Sequence, residues 1–239
     1  MSGHSKWANI KHRKGAQDAK RANIFTKIAR LITVAAREGG SDLETNFKLK
    51  MAVDKARGVN MPKDNIERAI KSGTGDSKDG VVIEEMEYEA YGPGNVAMII
   101  QVATDNKNRT VADLKHLLNK SGGKMVPNGS VGFLFKKSGV ITTPVEGKDL
   151  DDLELQVIDA GAEDVEIGDD MLVVYTRADE LQKTRENLEN MGVNIESAEL
   201  AYVPTQIAKI SEKEQESYEK LRDILEENDD IQEIYDNIE

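Results

Sequence analysis

The chain has 239 residues and a formal net charge of −12, is 38% hydrophobic and 32% charged, and contains no cysteine. The missing thiols exclude disulfides, thiolate metal sites and a cysteine nucleophile. No apolar run approaches the ~18–20 residues that span a bilayer, so no membrane partner is expected.

Length alone suggests two or three domains. Aromatic residues make up 5% of the chain, so the cores must rest on Ile, Leu, Val, Met and Ala. The charge is segregated. Residues 1–75 hold 16 Lys/Arg against 7 Asp/Glu, a balance of +9, and residues 76–239 hold 16 against 37, a balance of −21. Such a split points to different partners for the two parts.

Residues 1–15 combine cations with two glycines and no periodicity, which predicts a flexible arm. The arm has a positive start but no apolar stretch after it, unlike a secretory signal, and a cytoplasmic location is expected. From Ala16 the pattern turns helical. Ala22, Phe25, Ile28, Ala29, Ile32, Ala35 and Ala36 recur at spacings of three and four until Gly39-Gly40. Ser41 and Glu44 have capping-box spacing and predict a second helix to about Ala56, with Leu43, Phe47, Met51 and Val53 available for a core. Pro62 marks the start of a third helix ending near Ser72, with Ile66, Ala69 and Ile70 inward. The stretch GTGDSKDG (73–80) reads as a linker.

Strands are then expected at 84–91 and 96–104 around the turn Gly92-Pro93-Gly94, a helix at 109–120 and a strand at 131–135. From Gly139 the order is strand 139–145, helix 149–160, strands 163–167 and 171–176, helix 178–191 and strand 196–203. That is the βαββαβ series of a ferredoxin-like unit. The preceding segment lacks its last helix, and a helix at 211–227 returns to complete it. The acidic C-terminal stretch 207–239 is read as helical. The expected fold class is therefore α+β and multidomain: a three-helix bundle plus two ferredoxin-like α/β domains, one inserted in the other. The expected boundaries are 1–75, 81–137 with 205–239, and 138–204.

Enzyme signatures are missing. The three histidines, at 4, 12 and 116, lack ligand spacing, and no nucleophile elbow, phosphate loop or zinc-protease motif occurs. Asp151-Asp152, Asp169-Asp170 and Asp229-Asp230 are adjacent carboxylates, which caps and turns explain in a chain with 44 acids. No catalytic, metal or cofactor site is expected.

The N-terminal cations carry more. Lys6, Lys11, His12, Arg13, Lys14, Lys20 and Arg21 are dense in sequence and continue into Lys27 and Arg30. Phosphate backbones reward such density through counterion release. Trp7 among them is placed either to stack on a base or to anchor the arm to the bundle. On the third helix Lys63, Asn65, Arg68 and Lys71 lie on or beside the exposed face. With the preceding helix they suggest a helix-turn-helix, in which Asn and Arg can read base edges. The loop Ser121–Ser130, with three glycines and a proline, has the freedom of a functional loop.

SGHSKWANIKHRKGAQDAKR, FTKIARLITVAAREGG, NMPKDNIERAIKSG, YEAYGPGNVAMII, TDNKNRTVADLKH and GSVGFLF together resemble the YebC family, which includes the mitochondrial translational activator of cytochrome c oxidase subunit I. The chain departs at Met125-Val126 after Lys124, where many members carry Leu-Gly. The resemblance implies three domains, no enzyme activity and no cofactor. It implies either a DNA-binding transcriptional regulator or a ribosome-associated translation factor that helps at difficult sequences such as proline runs. Nucleic acid, DNA or ribosomal RNA, is the expected partner of the basic domain. The ribosome or basic proteins are the expected partners of the acidic domains, and a non-catalytic protein scaffold is the remaining alternative.

Overall fold

The computed structural model describes residues 21–75, 82–145, 147, 149–168 and 170–238. In chain order the elements are α1 (Arg21–Gly39), α2 (Phe47–Gly58), α3 (Lys63–Gly73), β1 (Glu84–Tyr91), β2 (Ala97–Thr104), α4 (Lys107–Lys120), β3 (Lys124–Val126) and β4 (Phe135–Pro144). They continue with α5 (Leu150–Asp159), β5 (Asp164–Ile167), β6 (Met171–Arg177), α6 (Leu181–Asn190), β7 (Ser197–Pro204), α7 (Glu212–Glu226) and β8 (Ile231–Asp236). Chain contacts divide the described residues into two compact units, one of 21–135 with 204–238 and one of 136–203.

In the first unit α1 is the axis of the helical part. Its stripe Ile28, Ile32, Ala35 and Ala36 is buried. Leu49, Ala52, Val53 and Ala56 of α2 and Ile66 and Ala69 of α3 pack against it. Both later helices lean on α1. The α1–α3 crossing is close because position 73 is glycine. A Cβ there would lie 2.3 Å from the Thr33 carbonyl oxygen and 2.8 Å from the Ala36 Cβ. Thr33 Oγ1 also donates to the Ala69 carbonyl at 3.1 Å across the same crossing.

The start of α2 corrects the capping-box expectation. Ser41 lies outside the helix, and the cap is Asn46, whose side-chain oxygen accepts from Leu49 N–H at 3.0 Å. Its amide nitrogen donates to the carbonyls of Ala35 and Gly40, both at 2.8 Å. One buried side chain thus satisfies the end of α1 and the beginning of α2, which a Ser-x-x-Glu spacing cannot do. Of the expected core residues Val53 is buried, with Leu49, Ala52 and Ala56, while Leu43, Phe47 and Met51 are half-buried.

The first unit's sheet has the order β3-β1-β2-β8. The β1–β2 hairpin is regular from Glu84↔Thr104 to Tyr91↔Ala97 and occupies the centre. Like the second sheet it has four antiparallel strands backed by two helices, but its strand order is its own. Alternation along β2 sends Met98, Ile100 and Val102 into one core with Leu114 and Leu118 of α4 and Tyr218, Leu221 and Leu225 of α7. The opposite face meets the helical bundle. Lys48 Nζ lies 2.7 Å from Glu85, and Lys55 Nζ lies 2.5 Å from Glu233.

Two further expectations are corrected here. The expected strand at 131–135 is a 3₁₀ turn over Gly132–Leu134, with β4 beginning at Phe135, and the short β3 precedes it inside the glycine loop. The C-terminal stretch is helical only to Glu226, and Ile231–Asp236 is strand β8 beside β2. A buried ion pair seats α7 on that strand. Arg222 donates to Asp236 at 2.6 Å and to Glu226 at 2.8 Å, and the Tyr218 hydroxyl donates to Asp236 at 2.7 Å. The neighbouring carboxylates hold the Arg222 guanidinium charged despite its burial.

The second unit runs β4-α5-β5-β6-α6-β7 with sheet order β5-β6-β4-β7, the ferredoxin-like arrangement. Its core is built from Ile141, Leu172 and Val174, which share one face of the central strands, and from Leu153, Val157, Leu181 and Leu188 of the helices. Asp149 caps α5 and accepts from Asp151 N–H at 3.0 Å, so this acidic cluster opens a helix.

Candidate nucleic-acid interface

Of the cations expected to meet nucleic acid, Lys6, Lys11, His12, Arg13, Lys14 and Lys20, with Trp7 beside them, lie outside the described residues. Arg21 opens α1. Lys27 and Arg30 are engaged within the fold. Lys27 Nζ donates to the Glu226 carbonyl at 2.8 Å. Arg30 Nη1 donates to the carbonyls of Ala103 at 3.0 Å and Asp229 at 2.8 Å, and to the Asp230 carboxylate at 2.5 Å.

Asp230 is the hub of that contact. Its carboxylate also accepts from Thr110 Oγ1 at 2.7 Å, Thr104 Oγ1 at 3.1 Å and Arg109 Nη2 at 3.0 Å, and its side chain is 5% exposed. Burial alone would raise its pKa. The bonds from Thr110, Arg109 and Arg30 outweigh burial and hold it at about 2. Lys48 behaves similarly: burial opposes its charge, and Glu38 and Glu85 more than restore it. The bundle therefore spends several cations on clasping the acidic sheet.

What remains outward is carried mainly by α3. Ile66, Ala69 and Gly73 face α1, which turns Lys63, Arg68 and Lys71 to solvent. The Lys63 side chain is 87% exposed, with Glu67 at 3.5 Å. Asp64 and Glu67 share this face, while Asn65 is half-buried. Arg57, at the end of α2, is 66% exposed. Arg37 is exposed in the last turn of α1, where its backbone nitrogen lies beside Gly73 at the end of α3. Lys71 and Arg37 thus gather at two adjacent helix C-termini, where positive charge is favoured. α2 and α3 each make extensive contact with α1, and residues of all three helices share one core.

A second feature lies on the same face of the sheet as the bundle. Gly129 (φ +89°) bends the loop after β3 back over Glu89 of β1. The Glu89 carboxylate accepts from the backbone N–H groups of Gly129 at 2.7 Å, Val131 at 2.6 Å and Gly132 at 3.1 Å. Burial would raise its pKa, but these bonds lower it. The following turn holds Phe133 outward at 72% exposure. On the neighbouring pair Tyr91↔Lys124, the ammonium lies 5.7 Å from the Tyr91 ring centroid, and the Tyr91 hydroxyl approaches the Ser130 carbonyl at 3.5 Å. The sequence reading marked the loop for its glycines but placed Phe133 inside a strand.

A depression of about 350 Å³ is lined by Arg30, Arg109, Asp113 and Glu227–Asp230. It is the open side of the Asp230 clasp. Among the described residues no group of three or more His, Cys, Asp or Glu side chains could hold a metal ion, and no helix is long and apolar enough to cross a membrane.

The architecture is that of a helical module fastened to an antiparallel α/β body, whose chain is interrupted in sequence after Phe135 by a second α/β unit. The family model described as the TACO1/YebC protein N-terminal domain matches residues 5–76, and the TACO1/YebC second and third domain matches residues 83–238. The chain belongs to this family. It is 51% identical over 239 residues to a protein of Syntrophotalea carbinolica, covering 100% of this chain and 96% of the relative. It is 49% identical over 240 residues to one of Thermotoga maritima, covering 100% and 94%. Both relatives are named "Probable transcriptional regulatory protein". The crystal structure of a conserved hypothetical protein from Aquifex aeolicus superposes with a TM-score of 0.84 at 40% identity, covering 93% of this chain and 91% of the other.

Proposed function

We propose that this protein is a non-catalytic, cytoplasmic regulator of gene expression that grips nucleic-acid phosphates through its helical domain. The observation that carries the reading is the solvent face of α3, where Lys63, Arg68 and Lys71 stand outward while Arg30, Lys48 and Lys55 pair with carboxylates of the sheet domain. The basic segment 1–20 adds to the same charge in sequence. The name shared by the relatives supports duplex DNA as the target and a role in transcription.

One observation favours a second target, folded RNA on the ribosome, with a role in translation. The α3 face mixes Asp64 and Glu67 with its cations. This geometry suits phosphate contacts and shape better than groove readout. The acidic second unit would point away from either polyanion or meet basic protein.

Ribosome co-sedimentation and genome-wide DNA crosslinking, done on the same cells, separate the targets. Enrichment on DNA without co-sedimentation supports the transcriptional reading, and the reverse supports the ribosome. Absence from both removes the proposal.

A further inference from the structure

The loop from Pro127 to Leu134 has features that a connection does not need. Glu89 commits a charged carboxylate to three of the loop's backbone N–H groups, an anion nest filled from inside the protein. That clasp fixes the backbone of the turn that carries Phe133, yet the ring is left 72% exposed. A solitary exposed apolar side chain is ordinary. One held outward on a backbone pinned at Gly129, Val131 and Gly132 has already lost the freedom that binding would otherwise cost. The strand that leads into the loop carries a cation: Lys124 is exposed, and its ammonium lies near the Tyr91 ring.

The position is also suitable. Alternation puts Glu85 and Glu89 on one face of β1. Glu85 receives Lys48 of the bundle, and Glu89 receives the loop. They are four residue steps apart along the strand, about 13 Å. A stacked strand places a phosphate every ~3.4 Å, so about four nucleotides cover that distance.

We propose that this loop is a base-stacking finger: Phe133 takes an unpaired nucleobase of a single-stranded segment, and Lys124, on the strand that leads into the loop, supplies positive charge for its phosphates. The inference rests on the nucleic-acid reading above and adds to it the state of the ligand. A paired base in a duplex offers no free face to the ring, whereas every unpaired base does, whatever its identity.

The test uses the full chain and three fluorescein-labelled probes at one fixed salt concentration: 12-nucleotide oligouridine, 12-nucleotide oligothymidine and a 12-base-pair DNA duplex. Phe133→Ala should weaken single-strand binding about 5- to 150-fold, the effect of removing one stacking platform. Duplex affinity should change less than twofold, and Phe133→Trp should restore single-strand affinity to within twofold. Because the ring is exposed, the melting temperature of both variants should stay at the wild-type value. Equal losses on the two single strands identify the base as the ligand, and a loss on oligouridine alone identifies RNA. Single-strand affinity unchanged by Phe133→Ala, or an equal loss on all three probes, overturns the finger while leaving phosphate binding intact. Failure of the wild type to bind any probe overturns both.

Discussion

Replacing Asp230 with Asn removes the charge at the clasp between α1 and the sheet and keeps the side chain's shape. The carboxylate accepts from two threonines and two arginines and is almost fully buried. Its pKa is held at about 2 against an ordinary 3.8. That difference corresponds to about 2 kcal/mol of stability at neutral pH, at roughly 1.4 kcal/mol per unit. The folded-state value is depressed, so this stability is fully present above about pH 4 and is lost as the pH falls toward 2. Asp230→Asn should therefore cost about 2 kcal/mol at pH 7. Asp230→Ala should cost about 3, near the lower end for a broken buried pair, because Arg30 keeps the carbonyls of Ala103 and Asp229. The assay is chemical denaturation followed by far-ultraviolet circular dichroism, fitted as two transitions because the chain has two compact units. The wild-type-minus-Asn difference should shrink toward zero between about pH 4 and pH 2. A difference below 0.5 kcal/mol at pH 7, or one that is constant down to pH 2, would refute the reasoning.

Gly73→Ala should force α1 and α3 apart, since the new methyl would overlap the Thr33 carbonyl and crowd Arg37 N, which are backbone atoms of one helix. A loss of about 3 kcal/mol, seen as a fall in Tm of roughly 6–12 °C by calorimetry, is expected. Arg222→Met leaves the Asp236 carboxylate buried without its guanidinium partner, with the Tyr218 hydroxyl still donating to it, and should cost about 3–5 kcal/mol by denaturation. Adding Asp236→Leu should recover part of that loss, and a double variant no better than the single one would contradict the ion-pair account.

The helices of the bundle are legible because their apolar spacing is regular. Ile28, Ile32, Ala35 and Ala36 are buried as the 3.6-residue period requires. Strand β8 escaped the same reasoning for a specific cause. The pairing slips between Gln101 and Val102, so that Ile231 and Ile234 stand opposite Val102 and Ile100. A bulge at Gln232 thus puts residues three apart on one face, and in sequence that spacing imitates a helix. Composition located the cations but not their destinations. Arg30 turns inward because of Asp230, 200 residues away, a pairing that no local pattern records. Phe133 resembles a strand interior in sequence. It is exposed because Gly129 and the Glu89 clasp turn the chain just before it.

The central claim is that the outward cations of α3 hold phosphate, and the salt dependence of duplex binding tests it most directly. Affinity for one duplex should be measured across a salt series for the wild type and for Lys63→Ala/Arg68→Ala/Lys71→Ala. The log–log slope of the variant should be shallower by about 2.7, the contribution of three released counterions. Identical slopes for the two proteins would contradict the account.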